Sequence, residues 1–286
     1  MNCDIVIVDT GCDIFHPRLI DRKIDGLQII KCDNGQIEIR ESRFDDDVGH
    51  GTAICGIIFS HDPTIKIVVI KIFDQNLYVD EDLLYYALDY IYKNITCKII
   101  NLSLGIPTLL NYDRMYEICK KLNSKGSAIV AAFDNDGSIS FPAAFDNVIG
   151  VTANNHCYKN DQYAVLCNHI VNIGAKGSSQ RVIWNHNKYS IGKGNSYACA
   201  HITGIGICIS KARTNLDYRS LLDLLEKNQS FPVVLKPTVS NKQSSFSQNY
   251  ENVALFPFNK EMHALIRFQE LLSFFSHRVH HPAERR

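Results

Sequence analysis

Residues 4–11 read Asp-Ile-Val-Ile-Val-Asp-Thr-Gly. A half-exposed strand would alternate apolar and polar side chains. Ile5, Val6, Ile7 and Val8 do not alternate, so both faces of this segment seek cover, as in a parallel strand with helices above and below it. The run ends on Asp9 and is followed by Gly11. In open α/β sheets the carboxyl ends of strands are where sites form. Working outward, similar runs recur at Ile65–Phe73, Ile99–Leu104, Ser127–Ala132 and Val148–Ala153. Segments of helical period lie between or after them. One follows the acids Asp80, Glu81 and Asp82, which suit a positive helix start, with Leu84, Leu88 and Ile91 as an apolar stripe. A second covers Asn111–Lys125 and is stopped by Gly126, and a third covers Leu216–Lys227. The alternation predicts an α/β fold: a doubly wound, mostly parallel sheet with helices on both faces.

Composition fits that class. The chain has 286 residues, 45% hydrophobic and 21% charged, with a formal net charge of zero. Nothing in the overall charge points to nucleic acid or to an anionic membrane. Ten cysteines are dispersed, with no Cys-x-x-Cys pair, and several sit inside apolar runs, Cys55 and Cys208 among them. They are expected to be reduced core thiols rather than a disulfide framework or a zinc site. Met1-Asn2-Cys3-Asp4 lacks a basic region leading into an apolar stretch, and no run is long enough to span a membrane. The expected location is therefore cytoplasmic. Composition shifts near residue 228, which divides the chain into a main domain, 1–227, and a small C-terminal extension, 228–286. The extension reads as a linker, a helix over Glu261–Phe275 and a polar tail.

Three short motifs stand at junctions between strand and helix. Asp9-Thr10-Gly11 follows the first strand. Gly49-His50-Gly51-Thr52 opens the apolar segment Ala53–Phe59. Gly194-Asn195-Ser196-Tyr197-Ala198 opens a segment of small residues. A serine hydroxyl is a poor nucleophile until a base removes its proton. A neutral imidazole serves near neutral pH if its other nitrogen is held in the right tautomer, and a buried carboxylate can hold it. Each motif alone is weak. Asp, then His, then Ser in that order is a recognised arrangement for nucleophilic catalysis.

With these motifs in view, residues 3–227 resemble the subtilase superfamily of serine proteases. Asp4–Leu19 resembles its aspartate block, Asp47–Ile58 its histidine block and Gly194–Gly204 its serine block. Asn101–Gly105 resembles the segment that pairs with substrate backbone. Val130–Gly137 resembles the block carrying the oxyanion asparagine, and Phe141–Ala153 the strand that follows. The resemblance implies Ser196 as nucleophile, His50 as proton shuttle, Asp9 as its orienter and Asn135 as an oxyanion donor. It also implies Ser103, Leu104 and Gly105 as a substrate-binding edge. The sequence departs from the family where Asn195 replaces a usual threonine, Ala200 and Lys176 replace prolines, and Phe133 and Asp134 replace small residues. The family's calcium-holding loop falls in a region that is short here, Ser60–Thr64, so no metal and no cofactor is expected.

Asp45-Asp46-Asp47 precedes His50 and reads as an acidic rim near the S2 subsite. Asp136 reads as a charge at the mouth of S1, so Asp47 and Asp136 together predict a preference for basic substrate residues. His61 and His201, like the other histidines outside the motif, read as structural rather than ligating. Subtilases often carry a folding prodomain, and only eight residues precede Asp9, so an enzyme that folds unaided is expected. The resulting reading is an intracellular serine endopeptidase acting on a peptide or protein substrate, with a narrow processing role. A transpeptidase or macrocyclase using the same groups, and an inactive binding module on the same body, are the alternatives.

Overall fold

The computed structural model describes residues 1–32, 34–73, 80–166 and 170–231. The helix expected at Glu261–Phe275 and most of the extension lie outside the described residues. In chain order the elements are β1 (Ile5–Asp9), β2 (Lys23–Lys31), β3 (Ile37–Glu41), α1 (His50–His61), β4 (Lys66–Lys71), α2 (Glu81–Asn94), β5 (Ile99–Leu102) and α3 (Tyr112–Ser124). They continue with β6 (Ala128–Ala132), β7 (Ile149–Ala153), β8 (Tyr163–Val165), β9 (Ile173–Ala175), β10 (Gln180–Trp184), β11 (Lys188–Gly192), α4 (Asn195–Ile209) and α5 (Tyr218–Asn228).

Among the described residues, nine strands form one sheet in the order β3-β2-β4-β1-β5-β6-β7-β9-β8, and β10 and β11 form a separate hairpin. Pairing is parallel from β2 through β9 and antiparallel only at the edges, β2 with β3 and β8 with β9. The five apolar runs read from the sequence are β4, β1, β5, β6 and β7, the adjacent strands at the centre. Alternate residues of β1 divide between two cores. Ile5 and Ile7 pack beneath α1, α4 and α5, whereas Val6 and Val8 pack against α2 and α3. Helices thus cover both faces, which is why the central strands are apolar throughout.

α1 and α4 are apolar around most of their circumference because they are buried between the sheet and their surroundings. α2 is stripe-faced, and its N-cap Asp80 accepts from the Leu83 N–H. Asn101 on β5 is fully buried. Its Nδ2 donates to Ser103 Oγ at 3.0 Å and its Oδ1 accepts from Thr203 Oγ1 at 2.8 Å, which ties α4 to the sheet. No disulfide joins the nine described cysteines, seven of them buried. α5 runs one residue past 227, and Gln229 and Ser230 still bond to the β8 backbone at Val165 and Tyr163.

Candidate active site

Strands β1, β5 and β6 lie side by side, so their carboxyl ends open on one place. Asp9, the last residue of β1, is 1% exposed. His50 is the first residue of α1, and its Nδ1 lies 2.7 Å from Asp9 Oδ1. The same carboxylate oxygen accepts from the Thr10 N–H at 2.8 Å. Burial opposes the charged imidazolium. The Asp9 charge, the hydrogen bond that His50 donates to Asp9 and the field of Asp46 outweigh it, so the His50 pKa is raised above its ordinary value of 6.5. The carboxylate therefore does two things: it selects the tautomer with the proton on Nδ1, and it stabilises the imidazolium.

The support for this pair was not legible in the motifs. Asp46 is 5% exposed and sits under the start of α1. Its carboxylate accepts from the N–H groups of Val48, Gly49 and Thr52 and from the hydroxyls of Thr10 and Thr52. It satisfies helix-start donors that the N-cap residue, Gly49, has no side chain to satisfy. Gly49 itself holds φ 110°, and a Cβ there would lie 2.3 Å from the Trp184 indole. Thr10 Oγ1 accepts from the Gly51 N–H and links the loop after β1 to the turn before the helix. Lys71, in register with Asp9 on β4, is 6% exposed and donates to the Asp45 carbonyl and the Asp47 carboxylate. The three acids read as a rim, Asp45–Asp47, have different surroundings. Asp46 is a buried cap, and Asp47 carries its charge against Lys71, outside the lining of the cleft.

Ser196 is the second residue of α4. Its Oγ donates to the Ser103 carbonyl at 3.0 Å, and Ser103 Oγ donates back to the Ser196 carbonyl at 3.1 Å. Among the described residues no hydrogen bond joins the Ser196 hydroxyl to His50, so proton transfer requires the hydroxyl to leave the Ser103 carbonyl. The ring of Tyr197 packs edge-on against the His50 imidazole, with centroids 5.9 Å apart. Asn135 lies across the cleft. Its Oδ1 accepts from the Asn195 N–H at 2.8 Å, which turns Nδ2 outward with no hydrogen bond of its own among the described residues. Gly194 allows this approach: its φ is 132°, and a Cβ would come within 2.7 Å of Asn135 Oδ1.

Asn195, the departure from the family's threonine, is buried and fully used. Its Oδ1 accepts from the Ala153 N–H and from Thr152 Oγ1, and its Nδ2 donates to the carbonyls of Phe133 and Asp134. One side chain thus clamps the ends of β6 and β7 to the start of α4. The cleft holds about 590 Å³ and is lined by His50, Ser196, Asn135, Ser103, Leu104 and Gly105 together. The backbone groups of Leu104 and Gly105 make no backbone hydrogen bond among the described residues, which leaves an edge that an extended peptide can join. Phe133 is buried over Gly150, and among the described residues the acids in the lining are Asp80, Glu81 and Asp134. Asp136 is exposed outside that lining, and its carboxylate accepts from the Ser138 N–H.

The profile of the Subtilase family, peptidase S8, matches residues 2–252. The chain is 27% identical over 239 residues to the thermophilic serine proteinase of Bacillus sp. strain AK1, covering 77% of this chain and 55% of that protein. It is 26% identical over 220 residues to the major intracellular serine protease of Bacillus subtilis strain 168, covering 71% of this chain and 66% of that one. The chain thus spans about half to two thirds of these relatives. Among solved structures, a cold adapted subtilisin-like serine proteinase superposes with a TM-score of 0.63 at 18% identity, covering 79% of this chain and 84% of the other. With its family profile matched over most of its length and its sheet superposing on a subtilisin-like proteinase, the chain belongs to the subtilase family.

Proposed function

We propose that the protein is a serine endopeptidase in which Ser196 attacks, His50 carries the proton, Asp9 orients His50 and Asn135 stabilises the oxyanion. The single observation behind this reading is the 2.7 Å contact between His50 Nδ1 and buried Asp9, made at a cleft whose lining also contains Ser196 and Asn135. As Ser196 Oγ bonds to the peptide carbonyl carbon, its proton passes to His50 Nε2. The carbonyl oxygen becomes an oxyanion beside Asn135 Nδ2 and the Ser196 N–H. His50 then gives the proton to the departing amine as the C–N bond breaks, leaving an acyl-enzyme. Water repeats the sequence and releases the acid. The substrate lies along Leu104 and Gly105 as an added strand.

Incubation with a fluorophosphonate probe is the test. Covalent labelling of Ser196, absent in Ser196→Ala, is the expected result. A folded wild type that stays unlabelled would refute the assignment. Product masses then separate hydrolysis from ligation. We place the enzyme in the cytoplasm with a narrow processing role. Support comes from relatives named as intracellular serine proteases in Bacillus subtilis and Paenibacillus polymyxa. Digestion of a whole proteome should yield few cleavage sites, and broad cleavage would remove the processing role.

A further inference from the structure

A second groove, sharing no residue with the catalytic cleft, runs along α1, α4 and the β10–β11 hairpin and has a volume of about 300 Å³. Arg18, Arg22 and Arg181 line it. Two of the three are held in place by neutral groups. Arg22 donates to the Pro63 carbonyl at 3.3 Å, and the Arg181 guanidinium stacks 3.9 Å from the Tyr189 ring centre. Among the described residues none of the three forms an ion pair with a carboxylate, in contrast to Arg40 and Arg114, which do. Arg22 and Arg181 are thus oriented, and none of the three is paired with a carboxylate among these residues.

The rest of the lining offers donors and few acceptors. The Gln180 Oε1 is taken by His201 Nε2 at 2.9 Å, whereas Gln180 Nε2 is buried and has no partner. The Asn160 Oδ1 is taken by Lys176 Nζ at 2.7 Å, which brings a fourth cation to the rim. His201 is kept neutral by burial, with His61 and Lys176 adding to the effect, and so takes no anion's charge. Asp161 is the acid whose field reaches this cluster, acting on His61. Guanidinium forks match tetrahedral oxyanions in pairs of parallel N–H···O bonds. Converging uncompensated cations with low-dielectric walls raise the local concentration of such a ligand.

We propose that this groove is a binding site for a small phosphate-type polyanion, a pyrophosphate or phosphate-ester group carrying at least two negative charges. Its lining draws on α1, the helix that His50 opens, and on His201 of α4, the helix that carries Ser196 as its second residue, so the ligand braces these helices against the hairpin.

The test is calorimetric titration of the full chain, in a Ser196→Ala background, with sodium pyrophosphate at ionic strength matched by sodium chloride. Saturable binding is expected, with a thermal midpoint that rises with ligand concentration. The double variant Arg22→Gln/Arg181→Gln should weaken it at least tenfold, and Arg18→Gln alone should weaken it measurably. Unliganded thermal midpoints near the parent value show that these exposed or half-exposed changes leave the fold intact. Lys120→Gln, the same charge change as Arg18→Gln but elsewhere on the surface, should leave binding unaltered. Absence of saturation, equal loss with Lys120→Gln, or binding of citrate in preference to pyrophosphate would each overturn the proposal.

Discussion

At the scale of single residues, the proposed mechanism makes activity depend on the protonation of His50. Only the neutral imidazole accepts the Ser196 proton. The raised pKa of His50 keeps the ring charged to higher pH than an ordinary histidine, so kcat/KM should climb with pH through a midpoint above 6.5. Asp9→Asn removes the charge that raises it. The midpoint should then move to lower pH, and the plateau should fall by orders of magnitude because the tautomer is no longer selected. A pH–rate profile of both proteins checks this. Asn135→Ala should lower kcat by about a hundredfold or more with little change in KM, as loss of one oxyanion donor does. The proposed nucleophile, base and carboxylate stand out in the sequence because each role needs a fixed residue type, here beside glycine. Asp46 and Lys71 were not. Three consecutive acids look alike in sequence, and only the fold buries one, pairs another with a lysine and leaves the third to lend its carbonyl to that lysine.

At the scale of elements, the start of α1 is the part under greatest demand. Gly49 must be glycine to clear Trp184, so the cap is supplied from Asp46, three residues upstream. Asp46→Ala leaves buried donors without a charged acceptor and should cost about 2–4 kcal/mol in urea unfolding, with Asp46→Asn recovering part of it. A purely structural loss would leave the titration of His50 unchanged. Because Asp46 also raises the His50 pKa, the Asn variant should show a lower midpoint in its pH–rate profile as well. The central strands and α2, α3 and α5 were readable within one or two residues, since buried strands and striped helices have distinct periods. The edge strands β2 and β3 and the β10–β11 hairpin were not. β2 mixes Lys23, Asp25 and Gln28 with its apolar residues. The hairpin turns through His186 and Asn187 at φ 54° and 60°, with no glycine to announce it.

At the scale of the whole molecule, a histidine pair between α1 and α4, half-buried His61 and buried His201, links acid to stability. His61 Nε2 lies 3.0 Å from His201 Nδ1. Burial, then His61 and Lys176, lower the His201 pKa to about 3. Between about 6.5 and 3 the unfolded chain holds a proton there that the folded chain refuses. Stability is therefore intact above about 6.5 and is lost as pH falls below it, at up to about 1.4 kcal/mol per pH unit from this one group. His201→Gln should flatten that part of a stability-against-pH curve measured by denaturant unfolding. An unchanged slope would show that the pair does not control it. By itself, the sequence determined the fold class, the order of the central elements and the candidates Asp9, His50 and Ser196 for the proposed chemistry, because local period and residue chemistry carry that information along the chain. Tertiary structure alone decided which acids are buried caps, how Asn195 clamps two strands to a helix, and where unneutralised arginines converge. Those properties depend on burial and on distances between residues far apart in the chain, which no local pattern records.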